Sequence, residues 1–105
     1  MIYKVKVEKR VGKYINKLGT RERDYFISRF NELQYNKSGY RLLDKHGIVE
    51  LWELRCSSHR VYYTVENGYI VIENIEYDGN IRVRDASNKN QQQRTIDHLK
   101  NRYIR

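Results

Sequence analysis

Apolar and polar residues alternate with a period of two in two parts of the chain. Residues 2 to 8 alternate apolar with charged side chains, which is the period of a half-buried strand. The same period returns from residue 48, and Asn67-Gly68 is a strong signal for a two-residue hairpin, because a type I′ turn needs positive φ at both positions. The pattern predicts an N-terminal strand and a later antiparallel meander, whose third strand covers residues 69 to 77.

Between these strands, apolar residues recur at the spacing of an α-helix. One stripe runs from Val11 to Leu18, and Gly19 then stands where a helix C-terminal cap is expected. A second stripe ends at Leu33 and follows Thr20, a residue type that suits an N-cap. The two stripes predict a helical hairpin.

The remaining segments complete an α+β architecture. Residues 40 to 47 are predicted to be a basic, mobile connection before the meander. After it, Asp78-Gly79 predicts a second turn, residues 81 to 84 a short strand or arm, and residues 90 to 104 a C-terminal helix. We expect one domain over residues 1 to 105, with helices on one sheet face and the other face partly open.

Alternation along the meander strands separates residues that face the predicted core from polar residues that face the other way. Glu53 and Arg55 point away from the predicted core, and so does Arg60 on the next strand. Between residues 48 and 77 the two arginines are the only cations, against five carboxylates. Two isolated cations on rigid strands predict an anion site. The predicted core residues of these strands are Trp52, Leu54, Val61, Tyr63 and Val65.

The charge of the chain narrows the class of partner. The formal net charge is +8 and the pI is near 9.7, which favours a polyanion or an acidic protein, although a merely soluble basic surface is the alternative. The single Cys56 excludes an internal disulfide, and the sequence has no zinc spacing and no Gly-rich phosphate loop. Without a secretory signal or a membrane span, we expect a cytoplasmic protein.

The run Leu51-Trp52-Glu53-Leu54-Arg55, followed by Arg60-Val61-Tyr62-Tyr63, resembles the toxin components of type II toxin-antitoxin pairs. The likeness is to the RelE/ParE superfamily and its HigB-like branch, and the order of predicted elements agrees with the RelE-like fold. The chain departs from the family pattern at Ile75-Glu76-Tyr77-Asp78, where relatives commonly carry an aromatic residue and a pair of lysines.

The resemblance implies a small ribonuclease that enters the ribosomal A site and cuts mRNA without a metal or other cofactor. It also implies contacts with mRNA and ribosomal RNA, neutralisation by an acidic antitoxin, and an oligomer formed with that antitoxin. Two other readings stay open, a ParE-like inhibitor of DNA gyrase and a non-catalytic relative that binds RNA or protein, because a fold does not fix a function.

The same resemblance assigns candidate roles. Arg60 is the first choice for phosphate stabilisation and Arg55 the second, since a guanidinium binds two phosphate oxygens and stays charged. Glu53 is either a general base or the partner in an ion pair, Tyr77 is a candidate acid or stacking residue, and His46 is a further acid-base candidate. The candidate RNA-binding residues are Arg82, Arg84, Lys45, Tyr62 and Tyr103.

Overall fold

The computed structural model describes residues 2–79 and 89–103. Within these residues, three helices and five strands follow one another in the order that the sequence predicts, apart from one additional strand. Their bounds are β1 Lys4–Val7, α1 Lys9–Asn16, α2 Thr20–Glu32, β2 Arg41–His46, β3 Val49–Cys56, β4 His59–Glu66, β5 Tyr69–Tyr77 and α3 Lys89–Tyr103. The predicted short strand or arm at residues 81 to 84 lies outside the described residues.

The strands form one sheet in the order β1-β5-β4-β3-β2. Strands β2 to β5 are an antiparallel meander, whereas β1 pairs in parallel with β5. A parallel neighbour requires a crossover connection, and the α1–α2 hairpin lies in the long connection from β1 to the meander. The predicted α+β class, with its N-terminal strand, helical hairpin, meander and C-terminal helix, is confirmed.

The main core lies between the sheet and the α1–α2 hairpin. Val11 and Ile15 of α1 and Phe26 and Phe30 of α2 are buried there. Of the five core residues predicted on β3 and β4, four are buried and Trp52 is partly buried against the same cluster. Alternation along the strands thus identified the face that the helical hairpin covers.

Three local predictions in this region were wrong. Residues 41 to 46 are not a loop but the edge strand β2, which pairs with β3 and has a register irregularity between Leu42 and Asp44. Gly19 does not cap α1, because that helix ends at Asn16 and Gly19 is the extended N-cap residue of α2. Thr20 is not the N-cap of α2 but its first helical residue, and its side chain makes no capping hydrogen bond.

The prediction that the helices pack on one sheet face was wrong, because one helix covers part of the second face. Helix α3 packs on it through Ile96 and Leu99, which are buried against Leu51 of β3 and Tyr62 of β4, with Leu43 partly buried beside them. The sheet face that carries the polar residues of the meander is therefore partly covered. No helix in the described residues is long and apolar enough to cross a membrane.

Candidate functional site

Arg55 and Arg60 are direct cross-strand partners on β3 and β4. They lie on the α3 side of the sheet, as strand parity predicts. Their surroundings differ, since Arg60 is 5% exposed whereas the side chain of Arg55 keeps 33% of its surface accessible. The two candidate phosphate-binding cations are therefore adjacent, but only Arg55 is open to solvent.

Arg60 is held by two carboxylates at the end of β5. Its Nη1 donates to Oε1 of Glu76 at 3.0 Å, and its Nη2 contacts Oδ2 of Asp78. The Nε of Arg60 is buried without a hydrogen-bond partner among the described residues. Glu76 also accepts hydrogen bonds from Tyr62 Oη at 2.7 Å and from Thr95 Oγ1 of α3 at 2.8 Å. The protein's own carboxylates thus occupy the guanidinium edge that a phosphate would use.

Tyr62 is a buried member of this network. Its ring is 0% exposed, and burial together with the hydrogen bond to Glu76 raises the pKa of its hydroxyl. Tyr62 is a candidate RNA-binding residue, but no RNA base can reach its side chain while α3 is in place.

Glu53 is a fully buried anchor for two arginines. Its Oε1 accepts from Gln92 Nε2 of α3 at 2.6 Å and lies 3.7 Å from Arg41 Nη2. Its Oε2 accepts from Arg55 Nε at 3.3 Å. A general base needs an oxygen that can reach the substrate proton, and both oxygens of this carboxylate already face donors of the protein. The geometry agrees better with the ion-pair reading of Glu53.

Tyr77, a further catalytic candidate, lies on the other sheet face. It pairs with His59 across β4 and β5, and the two ring centroids are 5.3 Å apart in an edge-to-face arrangement. The ring is 65% exposed at the sheet end. Tyr77 is thus accessible but does not point toward Arg60, because Glu76, its neighbour in sequence, takes that direction.

Lys45 and His46 lie at the far end of β2. They are opposite Glu50 and Val49 of β3, and Lys45 Nζ is 3.8 Å from Glu50. Arg55 is five to six residues further along β3, which corresponds to roughly 20 Å of strand. The structure therefore does not bring Lys45 or His46 to the arginine pair.

Three further RNA-binding candidates have no described side chain. Arg82 and Arg84 lie outside the described residues, and so does the side chain of Tyr103, although its backbone belongs to α3.

Sequence reasoning missed Tyr40 and Arg41, which border the site. The Arg55 guanidinium carbon lies 3.9 Å from the centroid of the Tyr40 ring, and Arg41 shares Glu53 with Arg55. Both residues were assigned to a loop, because the edge strand that begins at Arg41 has no clear alternation. The available signal was the cluster of a tyrosine and a cation immediately after Gly39.

The thiol of Cys56 is poorly suited to nucleophilic chemistry. Cys56 is buried, and burial raises the pKa of its thiol to about 11, so that almost no thiolate is present at neutral pH. No group of three or more His, Cys, Asp or Glu side chains that could hold a metal ion occurs within residues 2–79 and 89–103.

Comparison with solved structures finds the same fold in RelE toxins. A chain of the archaeal RelE–RelB complex from Pyrococcus horikoshii OT3 superimposes with a TM-score of 0.70 and 25% identity, covering 81% of this chain and 100% of that one. A double arginine-to-alanine mutant of E. coli RelE in the free state gives a TM-score of 0.57 and 18% identity, over 88% of this chain and 98% of the other. Isolated E. coli RelE gives a TM-score of 0.50 and 17% identity, over 89% and 98%.

The archaeal structure supports placement in the RelE superfamily, while the E. coli structures show the shared fold alone. No protein-family model matches the chain, and the search of curated proteins found no significant match.

Proposed function

We propose that this chain is the toxin of a type II toxin-antitoxin pair and acts as a ribosome-dependent, metal-independent mRNA endonuclease in the cytoplasm. The observation that carries the proposal is the RelE fold, shared over 81% of the chain at 25% identity. The arginine pair on the α3 side of the sheet supports the ribonuclease part. Assignment to the HigB-like branch rests on the run from Leu51 to Arg55.

An acidic antitoxin is the proposed partner. The net charge of +8 favours an acidic protein, and the archaeal relative was solved as a RelE–RelB complex. We expect the two proteins to form an oligomer together. Messenger RNA and ribosomal RNA are the proposed polyanionic ligands, since electrostatic contact with phosphates would supply much of the affinity.

The proposed cleavage is attack of a ribose 2′-hydroxyl on the adjacent phosphate. This reaction requires removal of a proton, stabilisation of the negative charge on the phosphorane, and protonation of the leaving oxygen. Arg55 can reach a phosphate directly, whereas Arg60 can do so only after Glu76 or Asp78 releases one of its Nη groups. The substrate phosphate therefore contacts Arg55 first, and Arg60 is a second cation that lies behind Arg55 and is paired with carboxylates.

The proton-transfer roles have weaker geometric support. Glu53 serves best as the anchor of Arg55, because Gln92 and the arginines occupy both of its oxygens. Tyr77 and His46 are accessible, but neither lies beside the arginine pair. They stay candidates for the acid and the base only in a conformation that brings them to the arginine pair, which mutation of each residue tests.

Primer-extension mapping of RNA ends after expression of the chain tests the proposal. New 5′ ends should appear in translated mRNA and, with purified protein, should require ribosomes and persist in EDTA. Arg55→Ala and Arg60→Lys should reduce cleavage strongly. Arg23→Ala, which removes an exposed cation from α2, should not, and circular dichroism must show that each variant is folded. Unchanged cleavage in both site variants would contradict the assignment.

A non-catalytic relative that binds RNA or protein is the second candidate. It is favoured by the pairing of Arg60 with two buried carboxylates, which leaves that cation neutralised. In that case the protein would bind RNA without producing new ends. A ParE-like gyrase inhibitor would instead arrest growth with intact mRNA and would not need Arg60.

A further inference from the structure

Tyr40 presents an aromatic ring next to the arginine pair. The guanidinium carbon of Arg55 lies 3.9 Å from the centroid of this ring, which is the distance of a close cation–π stack. Tyr40 is nevertheless 59% exposed. A planar group from solvent can therefore still reach the ring.

Two partly exposed cations share one buried carboxylate: Arg55, which stacks on the ring, and Arg41, which follows Tyr40 in sequence. The side chains of Arg41 and Arg55 are 48% and 33% exposed, and both contact Glu53, which is fully buried. The cluster of two arginines and one glutamate carries a net charge of +1. Because each guanidinium has five N–H donors, its contact with Glu53 leaves further donors for a phosphate oxygen.

The segment that carries Tyr40 is pinned to the sheet. The Tyr40 amide donates to the Glu53 carbonyl oxygen at 2.7 Å, and Tyr63 Oη donates to the Lys37 carbonyl oxygen at 2.6 Å. A Cβ atom at Gly39 would lie 2.5 Å from Tyr63 Oη and 2.6 Å from the Glu53 carbonyl oxygen, so only glycine permits this approach. The backbone that carries the ring is thus held in place before any ligand arrives, which lowers the entropic cost of binding.

We propose that Tyr40, Arg41 and Arg55 form a binding platform for a nucleotide of single-stranded RNA. The base stacks on the Tyr40 ring, and an adjacent phosphate binds the two guanidinium groups. An exposed aromatic ring beside cations is how proteins bind single strands without reading their sequence, and an acidic peptide would not need the ring. The choice of RNA as ligand rests on the proposed function, whereas the platform itself rests on the contacts of these three residues.

Fluorescence anisotropy with a labelled oligouridine of about twelve nucleotides tests the platform, since single-strand sites span about that length. The oligonucleotide carries 2′-O-methyl groups, which remove the attacking hydroxyl, so binding is measured whether or not the protein cuts. Tyr40→Ala should raise Kd roughly tenfold, because the base loses its stacking partner. Tyr40→Phe should bind like the wild type, because the ring and not the hydroxyl makes the contact.

Arg41→Gln provides the electrostatic arm of the experiment. It should weaken binding and lower the slope of log Kd against log salt by about 0.7, the value for one lost phosphate contact on a single strand. Tyr35→Ala is the matched control, because Tyr35 is 73% exposed and lines a surface groove with Asn31 and Glu32 of α2. Its Kd should equal that of the wild type, and circular dichroism verifies that every variant is folded.

Several results would overturn the platform. One is that folded Tyr40→Ala keeps wild-type affinity for RNA. Another is that Tyr40→Phe loses as much RNA affinity as Tyr40→Ala. The third is that the protein binds no RNA but binds an acidic peptide through Tyr40. Failure of the proposed function looks different. A protein that binds this RNA through Tyr40 but cuts no mRNA retains the platform without the ribonuclease, whereas cleavage with wild-type RNA affinity in Tyr40→Ala retains the ribonuclease without the platform.

Discussion

Replacement of Arg60 by methionine should destabilise the protein by about 3–5 kcal/mol, the range for removing one partner from a buried ion network. Arg60, Glu76 and Asp78 have side chains that are only 6%, 9% and 4% exposed. The two carboxylates would stay buried next to an apolar side chain. A domain of this size has only about 5–15 kcal/mol of stability, so the loss is a large fraction of the total.

Urea unfolding followed by circular dichroism measures this effect. With an m-value between about 1 and 3 kcal/mol/M, Arg60→Met should lower the midpoint by roughly 2 M at unchanged m. Neutralising the partners in the triple variant Arg60→Met/Glu76→Gln/Asp78→Asn should recover most of the loss, because it also removes the two negative charges that Arg60 balances. Arg23→Met, at an exposed pair with Asp24, should cost less than about 0.5 kcal/mol.

A cost for Arg60→Met below about 1 kcal/mol at unchanged m would refute the reasoning, since it is what exposed pairs contribute. The expected instability also limits what toxicity assays of Arg60 variants can show. Loss of growth arrest in Arg60→Ala alone would follow from unfolding as readily as from lost phosphate binding. Arg60→Lys, which keeps a positive charge near Glu76 and Asp78, is the cleaner probe.

Three further predictions concern other parts of the fold. Gly39→Ala should cost about 1–3 kcal/mol in thermal melts, because its Cβ would meet Tyr63 Oη at 2.5 Å, whereas Gly19→Ala, with open space around it, should cost less than about 1 kcal/mol. Burial alone would raise the pKa of Glu50, but hydrogen bonds and nearby lysines lower this pKa overall. The ionised Glu50 therefore stabilises the fold fully above the ordinary glutamate pKa, and this stabilisation is lost as the pH falls through the lowered pKa. Acid titration of wild type against Glu50→Gln should show that loss only in the wild type. Cys56 should react with a thiol reagent at pH 8 only on unfolding, given its burial and its pKa of about 11.

Much of the sheet could be predicted because two-residue periodicity survives in strands that bury one face. Strand β5 begins and ends where the alternation does, and the parity of β3 and β4 separates Leu54 and Val61 from Arg55 and Arg60. Strand β2 escaped prediction because it is an edge strand. Most of its residues are exposed or half-buried, and its register shifts, so burial imposes no regular pattern on it.

The arrangement around the arginines depends on contacts between distant segments. Pairing of Arg60 with Glu76 follows from the register of β4 against β5, which is displaced by an irregularity between Tyr62 and Tyr63. The stripe of Ile96 and Leu99 predicts a helix, but periodicity along one helix says nothing about which sheet face receives it. The sequence therefore identified the two cations without revealing that α3 and two carboxylates enclose one of them.

The stability of the contacts between α3 and the sheet decides which arginine binds a ligand first. Ile96 and Leu99 are 5% and 2% exposed, and burying each such side chain contributes about 1.5–3 kcal/mol. The hydrogen bonds that Gln92 and Thr95 donate to the buried carboxylates add about 0.5–1.5 kcal/mol each. These contacts together contribute about 4–9 kcal/mol. A released α3 regains conformational entropy that offsets part of this, so we expect the closed arrangement to predominate.

Arg55 needs no such opening, because a third of its side chain is already accessible. A phosphate should therefore bind first at Arg55, beside Tyr40, in the closed protein. Arg60 can contribute only if further contacts with RNA or the ribosome exceed the cost of moving α3 or of separating Arg60 from Glu76 and Asp78. On this argument, Arg55→Ala should weaken the first encounter with RNA, whereas Arg60→Lys should leave RNA affinity nearly unchanged and reduce only the rate of cleavage. An equal loss of RNA affinity in both variants would mean that Arg60 is already accessible in solution.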